Sequence, residues 1–390
     1  MISVSEALDH IFSLCTPLDA EDVPLHLAAG RTLARSVTAR RSQPPFAASA
    51  MDGYAVKEAE VASGASFTVV GEAAAGHGWH GTLKAGQALR IFTGAPLPAG
   101  ADRVVIQEDV SRQGNNITLN ADLDQATYVR PAGADFSHGD SFPAPKILSA
   151  QDVALLASMN IDRVPVSRKP VVAIIATGDE LVMPGETPGP DQIIASNNFG
   201  LQAMCQAAGA DTRLLPIARD NEASLRAVFE LTADADIVVT SGGASVGDHD
   251  LVAQVATDMG LERRFWKLAM RPGKPLMAGR LGNSMMIGLP GNPVSSLVCA
   301  RIFIIPAIRR LLGHDATAET PLQAPLSEPV AENGVRAHYM RAIIDPQGIR
   351  ALPRQDSALL SVLSQANALL LRPPFDAARK AGEMVPYLPL

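Results

Sequence analysis

The amino-acid sequence predicts a multidomain α/β protein whose largest part is a doubly wound, mostly parallel sheet. From residue 169 onward, apolar strand-like runs alternate with helix-like segments, which is the pattern of such a sheet. Three of the runs lead into glycine-containing loops. The length of 390 residues and the 47% hydrophobic content are enough for two to four domains with cores of their own.

The N-terminal part predicts a helix at 3–15, an extended region interrupted by Pro44 and Pro45, and then a β-rich module. Residues 66–145 contain short β segments separated by Gly, Pro and Asn: FTVVGEA, ALRIFTG, DRVVIQE and NNITLN. Ser149 fits the N-cap of the helical segment SAQDVALLASMN that follows.

The α/β part predicts four strands: VVAIIATG, DTRLLPIA, DIVVTSGG and SMMIGLPG. Helices are expected around 197–209, 221–232, 250–259 and 293–311. The run LVCARIFIIPAI is interrupted by Arg301 and Pro306 and is too short to span a bilayer, so it predicts a buried helix. The final 70 or so residues predict a compact β module after a proline-marked linker near 320–329.

Composition excludes several classes of protein. The net charge of −7 argues against a nucleic-acid binder, which needs a wide positive surface. Three cysteines that are far apart, with no CxxC, argue against a disulfide framework or a structural zinc site. The first residues, MISVSEALDHIF, lack the basic start and apolar core of an export signal. We therefore expect a cytoplasmic protein that binds neither nucleic acid nor membrane.

Residues 236–299 suit the binding of an oxyanion, although glycines there could also simply turn the chain. The segment supplies cations (Lys267, Arg271, Lys274) and hydroxyls (Ser241, Ser245, Ser295). Ligands of doubly wound sheets bind at the carboxyl ends of the strands. TGDEL, SGGASVGDHD and LPGNPVSS each follow a strand, so we expect them to meet there. They add Thr177, Gly178, Gly242, Gly243, Pro290 and Asn292 to the predicted binding residues.

Carboxylates follow three of the predicted strands, VVAIIATG, DTRLLPIA and DIVVTSGG, and predict a Mg²⁺ site. Glu180, Asp220 and Asp250 are the metal candidates, because Mg²⁺ prefers hard oxygen ligands. Asp179 and Asp248 fit caps of turns or helices better, and His249 has no evident partner. Neither GxxxxGK[ST] nor a strand-linked GxGxxG is present, which argues against a P-loop kinase and a Rossmann dehydrogenase. The set favours phosphoryl-type transfer or nucleotide cleavage.

Five segments in a fixed order give the chain a specific resemblance over nearly its whole length. They are PPFAASAMDGYA at 44–55, TGDEL at 177–181, SGGASVGDHD at 241–250, FWKLAMRPGKP at 265–275 and GLPGNPVSS at 288–296. With them the chain resembles the molybdopterin molybdenumtransferases of the MoeA type, which are related to the C-terminal domain of gephyrin.

The resemblance implies a transferase of molybdenum cofactor synthesis that inserts molybdate into adenylylated molybdopterin and releases AMP with the help of Mg²⁺. It implies a homodimer with the site between protomers, and it allows the molybdopterin adenylyltransferase and apo-molybdoenzymes as partners. Arg341 and Ser357 would join the binding residues, although Arg341 also fits an ordinary strand cation and Ser357 the N-cap of SALLSVL. The implied catalytic set is Asp52, Asp135, Glu180, Asp220, Asp250 and Lys267.

The resemblance also implies a four-part architecture. Its parts are an N-terminal linker and dimerisation domain (1–54 and 136–168), a β-rich module (55–135), a molybdopterin-binding α/β domain (169–318) and a C-terminal, β-barrel-like domain (319–390). The chain departs from the family at Ala47 and Ala48, where Asp-Asn is usual, and at Ala134, where Glu is usual. Arg271 stands where some members have Lys, and its planar fork still suits an oxyanion.

Two other functions stay open on the sequence alone. A molybdopterin adenylyltransferase would share the SGG loop, and it would consume ATP rather than adenylylated pterin. A non-catalytic scaffold of the gephyrin type would tolerate alanine at the Asp and Lys positions. The sequence leaves the choice between molybdate and tungstate open as well, because both are tetrahedral dianions of nearly equal size.

Overall fold

The computed structural model describes residues 1–242, 251–315 and 318–390. The predicted site residues Gly243, Ser245 and Asp250 lie outside these ranges, and so do Asp248 and His249. The described chain forms two compact units, Asp22–Val166 and a larger one that joins Met1–Glu21 to Ser167–Leu390. The four-part division predicted above stays a prediction.

Helix α1 (Val4–Leu14) begins the larger unit, and the chain then enters the smaller unit, which is rich in short strands. Its elements are β1 (Ala20–Pro24), β2 (Thr32–Leu33), β3 (Val37–Thr38), β4 (Ala48–Ser49), β5 (Gly53–Val56), β6 (Ser66–Ala73), β7 (Gln87–Ile91), β8 (Arg103–Ile106), β9 (Val110–Gln113), β10 (Asn116–Leu119), β11 (Val129–Arg130), β12 (Ser141–Phe142), β13 (Lys146–Ile147), α2 (Ala150–Ser158) and β14 (Arg163–Ser167).

A six-stranded sheet in the order β8–β5–β7–β6–β10–β9 forms the centre of the smaller unit. Side chains alternate across a strand, so each face of this sheet buries its own apolar cluster. Phe67 and Ile117 belong to one cluster, and Leu89 and Ile91 to the other. All four predicted β segments are strands of this sheet, which also includes β5.

Ser149 caps α2 as predicted, and the cap has a measurable contribution to stability. Its Oγ accepts from the backbone N–H of Asp152 (3.2 Å), while the Asp152 carboxylate accepts from the N–H of Ser149 (2.9 Å). We expect Ser149→Ala to lower the free energy of unfolding by about 1 kcal/mol, because it removes a capping box. Urea unfolding measures this. Ser158→Ala in the same helix is the control and should change the free energy of unfolding by less than about 0.5 kcal/mol, since Ser158 caps no N–H. An equal loss in both variants would contradict the assignment of Ser149 as the cap.

The larger unit contains the predicted α/β fold. Its elements are β15 (Val171–Ala176), β16 (Leu181–Val182), β17 (Ile193–Ile194), α3 (Asn197–Ala207), β18 (Asp211–Leu214), α4 (Glu222–Glu230), β19 (Ile237–Ser241), α5 (Leu251–Asp258), β20 (Leu261–Trp266), β21 (Met270–Arg271), β22 (Met277–Leu281), β23 (Ser284–Leu289), α6 (Pro293–Cys299) and α7 (Ile305–Leu311).

The main sheet has the order β18–β15–β19–β23–β22–β20. β18, β15, β19 and β23 are parallel, and β22 runs antiparallel to both of its neighbours. Helices cover both faces: Leu201 of α3 and Ile308 of α7 belong to one apolar cluster, Leu225 of α4 and Val255 of α5 to the other. Helix α1 joins the first cluster through Ile11. The doubly wound, mostly parallel sheet is therefore confirmed.

The predicted helix at 293–311 is continuous but not uniform. A π-helical turn (Ala300–Ile304) separates α6 from α7. Proline lacks the N–H that an α-helix needs, so Pro306 accounts for this local change of hydrogen bonding. The segment is buried as predicted, with Phe303 and Ile304 fully inaccessible to solvent.

The C-terminal part is a sheet that closes on itself. Its elements are β24 (Leu322–Pro325), β25 (Ala337–Asp345), β26 (Gly348–Ala351), α8 (Leu360–Leu363), β27 (Ala368–Arg372) and β28 (Met384–Pro389). The order is β21–β25–β27–β28–β24, with β26 paired to β25. The N–H of Ser327, just after β24, donates to Ile349 O of β26 (3.0 Å) and closes the ring, as expected of a β-barrel-like domain. Among the described helices, none is both long and apolar enough to cross a membrane.

Candidate functional site

Three loops at the carboxyl ends of β15, β19 and β23 meet around a cavity of about 710 Å³. This larger cavity has the size of an organic ligand rather than of a small ion. Predicted residues line it from all three loops: Thr177, Glu180, Ser241, Gly242, Pro290 and Asn292. The convergence that the sequence predicts is thus present in the described part of the chain.

The close approach of two loops explains Gly242. Its φ is +100°, and a Cβ there would lie 2.5 Å from Thr177 O. Asn197, at the start of α3, ties the other loop ends together: its Nδ2 donates to Ser241 Oγ (2.9 Å) and to Gly291 O (2.8 Å). The end of β19 and the loop after β23 are therefore joined through one side chain.

Two buried polar atoms at the larger cavity have no hydrogen-bond partner in the described structure. They are Thr177 Oγ1 and Asn198 Oδ1, and both residues line the cavity. A buried polar atom without a partner costs about 1–3 kcal/mol. A ligand with polar groups on its edge would remove this cost.

The loops after β15 and β18, which carry Glu180 and Asp220, are joined by hydrogen bonds. Arg219 Nη1 donates to Asp179 O (3.2 Å) and Leu181 O (3.1 Å), and Gly178 N donates to Ala218 O (3.1 Å). Asp179 accepts from the N–H of Asp220 (3.2 Å), so its carboxylate joins two loops and does not cap its own turn. Glu180 and Asp220 are both exposed.

A smaller cavity of about 360 Å³ adjoins the larger one, sharing Pro275 and Asn292 with it. Four predicted residues line it: Arg271, Lys274, Ser295 and Ser357. The prediction of Ser357 as an N-cap is wrong, because α8 begins later, at Leu360. Ser357 Oγ instead accepts from Asn292 Nδ2 (3.1 Å), and Ser357 O accepts from Val294 N (3.0 Å), so its loop docks on the start of α6.

Arg341 is fully buried beside the smaller cavity. Its Nη2 donates to Asp356 O (3.1 Å), whereas Nε and Nη1 have no partner among the described residues. Burial, and then the charge of Arg271, lower the pKa of this guanidinium. Arg271 and Lys274 line the cavity itself, and these two cations make it suited to an anion. The role of Arg341 in binding stays a prediction.

Lys267 does not line either cavity. Its ammonium lies 4.6 Å from the centre of the Trp266 ring, and Arg263 lies over the same ring at 5.0 Å. Its φ of +100° is unusual for a residue with a side chain. Its backbone is held by a hydrogen bond from its N–H to Leu276 O (3.1 Å).

Asp52 and Asp135 belong to the smaller unit. Asp52 Oδ1 accepts from both the N–H and the hydroxyl of Thr93 (2.8 Å each), and these bonds lower the pKa of the Asp52 carboxyl. Asp135 lines an open pocket together with Arg41, Arg130 and Ala134. The Asp52 carboxylate is therefore held in place within its own unit.

The predicted metal ligands are only partly described. Within residues 1–242, 251–315 and 318–390 there is no group of three or more His, Cys, Asp or Glu side chains placed to hold a metal. Glu180 and Asp220 lie on neighbouring loops, and Asp250 lies outside the described ranges. The two described carboxylates supply the hard oxygen ligands that suit Mg²⁺.

Several lining residues were not predicted from the sequence. Asn197 and Asn198 start a helix, and Arg336, Gln355 and Asp356 come from the C-terminal sheet and its loops. The pair of asparagines after Ser196 was the one visible signal, because polar residues at helix starts often bind ligands or cap the helix.

Known proteins match this chain over nearly its whole length. Residues 2–160 match the MoeA N-terminal region (domain I and II), residues 173–310 a probable molybdopterin binding domain, and residues 323–390 the MoeA C-terminal region (domain IV). A molybdopterin molybdenumtransferase of Nostoc sp. is 38% identical over 80% of this chain and 75% of its own length. Another, from Haemophilus influenzae, is 32% identical over 96% of this chain and 94% of its own.

A solved structure gives the same result. The molybdopterin biosynthesis MoeA protein from Pyrococcus horikosii is 30% identical and superposes with a TM-score of 0.87, over 99% of this chain and 98% of that one. The order of the matched regions and the fold agree with the sequence comparison. The chain belongs to the molybdopterin molybdenumtransferase family.

Proposed function

We propose that this protein inserts molybdenum from molybdate into adenylylated molybdopterin and releases AMP. The observation that carries the proposal is the pair of adjoining cavities: one has the size of an organic ring system, and the other is small and lined by cations. Molybdate is a tetrahedral dianion, and guanidinium groups bind such oxyanions through paired donors. The adenylylated pterin would occupy the larger cavity, with its polar edge satisfying Thr177 and Asn198.

The residues act by binding and by neutralising charge rather than as nucleophiles. Arg271 and Lys274 hold the oxyanion next to the pterin, and Ser295 and Ser357 add hydroxyls. The buried guanidinium of Arg341, which donates to Asp356 of the cavity wall, adds positive charge beside them. Donors fixed before the reaction stabilise the charge that develops in the transition state, and such stabilisation usually contributes more to catalysis than any other single effect. Glu180, Asp220 and Asp250 would hold Mg²⁺, which supplies charge neutralisation at the phosphate linkage that is cleaved.

We also propose that Lys267, Asp52 and Asp135 are catalytic residues and that the protein is a homodimer. Family resemblance supports a homodimer in which Asp52 and Asp135 complete the cleft, with the adenylyltransferase and apo-molybdoenzymes as partners. The three cysteines are free and buried, as expected for a protein of the reducing cytoplasm. Lys267 belongs to the proposed catalytic set on the family resemblance alone.

The test is to mix the purified protein with adenylylated molybdopterin, Mg²⁺ and molybdate and to follow AMP by chromatography. We expect AMP release that depends on molybdate. Asp220→Ala should lower its rate about 10²-fold or more, since it removes one of the proposed metal ligands. Asp234→Ala is the control, because Asp234 is an exposed aspartate that pairs with Arg213 and lines neither cavity.

Two outcomes would contradict the proposal. Formation of adenylylated pterin from ATP and molybdopterin would show an adenylyltransferase instead. Absence of AMP release, with a relative from the same family active under the same conditions, would leave pterin binding without turnover. Attention would then turn to Ala48 and Ala134, which line the pocket around Asp135.

A further inference from the structure

The loop that carries the cations of the smaller cavity lies directly on a sulfur atom. Gly273, between Arg271 and Lys274, is buried and has a φ of +108°. A Cβ there would lie 2.3 Å from Cys299 Sγ and 3.5 Å from Met270 Sδ. The backbone of the loop therefore contacts Cys299 with no side chain between them, and the size of residue 299 limits how deeply the loop can settle.

Cys299 and Ser295 belong to the same helix and share one of its faces. They are four residues apart in α6, so their side chains lie one turn from each other on the same side. Ser295 lines the smaller cavity, and Cys299 supports the loop that lies across it. The same helix face thus positions the Ser295 hydroxyl on one side of the cavity and the loop with Arg271 and Lys274 on the other.

Nothing about Cys299 suits chemistry of its own. It is fully inaccessible to solvent, and burial raises the pKa of its thiol far above the ordinary value. A buried, protonated thiol is neither a nucleophile nor a metal ligand. Its contribution is the volume that it occupies in a closely packed interior, where a change of one methyl group is felt.

We propose that Cys299 is a positioning residue that sets the gap between Ser295 and the Arg271–Lys274 loop, and with it the size of the oxyanion that the site accepts. The inference rests on the proposed function for the identity of the anion. A larger residue at 299 lifts the loop and widens the gap, which misplaces the cations and disfavours small anions most. A smaller residue lets the loop sink, which favours small anions over large ones.

The test is direct binding of molybdate and of the smaller dianion sulfate by calorimetry, in the absence of pterin. For Cys299→Val we expect the Kd of molybdate to rise about tenfold, because overpacking displaces the loop, and the ratio of the sulfate Kd to the molybdate Kd to increase. For Cys299→Ala we expect the same ratio to decrease. In the AMP assay, Cys299→Val should raise the KM for molybdate while the KM for the adenylylated pterin stays within about threefold.

Cys205→Val is the matched control. Cys205 is also free and fully buried, but it lies on α3, away from the loop, and has the same kind of apolar surroundings. The inference is overturned if Cys299→Val and Cys205→Val lose stability equally and both keep the original protein's ratio of the sulfate Kd to the molybdate Kd. If Cys299→Val does not fold, Cys299→Ala alone decides: an unchanged ratio overturns the inference, and a decreased one supports it.

The two proposals fail in different ways. Molybdate binding with the expected dependence on residue 299, but without AMP release, would contradict the proposed function only. If AMP release depends on molybdate but the ratio of the sulfate Kd to the molybdate Kd is the same in all variants at position 299, only the role of Cys299 is contradicted. If the original protein binds neither anion, the role of Cys299 is overturned whatever the AMP assay gives.

Discussion

Lys274→Ala is expected to lower kcat/KM for molybdate-dependent AMP release about 10²- to 10³-fold, the usual cost of removing one fixed donor from an oxyanion site. Lys274 lines the smaller cavity, and its side chain forms no ion pair with any residue in the described ranges. Its charge is therefore available to the anion. The fold should be unaffected, because an exposed ammonium without a partner contributes little to stability. The measurement is the initial rate of AMP release against molybdate concentration.

Lys380→Ala is the control for this variant. Lys380 is likewise an exposed lysine of the larger unit, and it lines neither cavity. It should leave kcat/KM within about twofold, as surface substitutions away from a site usually do. Normal molybdenum insertion by both Lys274→Ala and Asp220→Ala would show that the site has been placed wrongly.

The sequence predicts the centre of the α/β fold well because its parallel strands are buried on both faces. Such strands appear as continuous apolar runs, as in VVAIIATG and SMMIGLPG, and the loops after them carry glycines where backbones approach closely. Gly242 is an example, since a Cβ there would contact Thr177 O. Loops that follow neighbouring parallel strands must meet at one edge, so the larger cavity follows from the strand pattern.

Strands β20 and β22 were not predicted, and their sequences explain why. β20 is an edge strand with three consecutive charged residues, Glu262, Arg263 and Arg264, which are typical of exposed edges rather than of buried strands. β22 contains Gly279, and a Cβ there would meet the backbone of Arg263 on the neighbouring strand. Gly279 is needed because the backbones of β22 and β20 approach closely there. The sequence does not show this requirement, because it depends on which strand pairs with β22.

The smaller cavity was predicted less completely because it joins distant parts of the chain. Arg271 and Lys274 were recognised as cations in one loop, but Arg336 and Gln355 reach the same cavity only through the closure of the C-terminal sheet. The pairing of β21 with β25 brings Arg271 opposite His338 and so joins the two parts. No local pattern encodes such a contact, and Arg341 and Ser357 were identified only through the family resemblance.

Arg341→Met is expected to abolish function while leaving the ligand-free protein as stable as before, or more stable by roughly 1–3 kcal/mol. A buried cation with two unused donors costs free energy in the absence of an anion, and the charge of Arg271 adds to this cost. Methionine fills a similar volume without charge. AMP release should fall about 10³-fold, and molybdate should stabilise the original protein but not the variant against unfolding.

Arg372→Met provides the matched control, because Arg372 is equally buried in the same sheet but fully bonded. Its Nε pairs with Asp376 (2.5 Å), and its Nη1 and Nη2 donate to Ala331 O (3.0 Å) and Ala377 O (2.7 Å). Its removal leaves the Asp376 carboxylate paired with Arg379 alone. The free energy of unfolding of this variant should therefore fall by about 3–5 kcal/mol. Urea unfolding measures the change in the free energy of unfolding for each variant. A change of opposite sign in Arg341→Met and Arg372→Met would show that Arg341 is kept for the anion rather than for the fold. A large loss of stability in both variants would instead make Arg341 a structural residue, and the anion would then have to be held by Arg271 and Lys274.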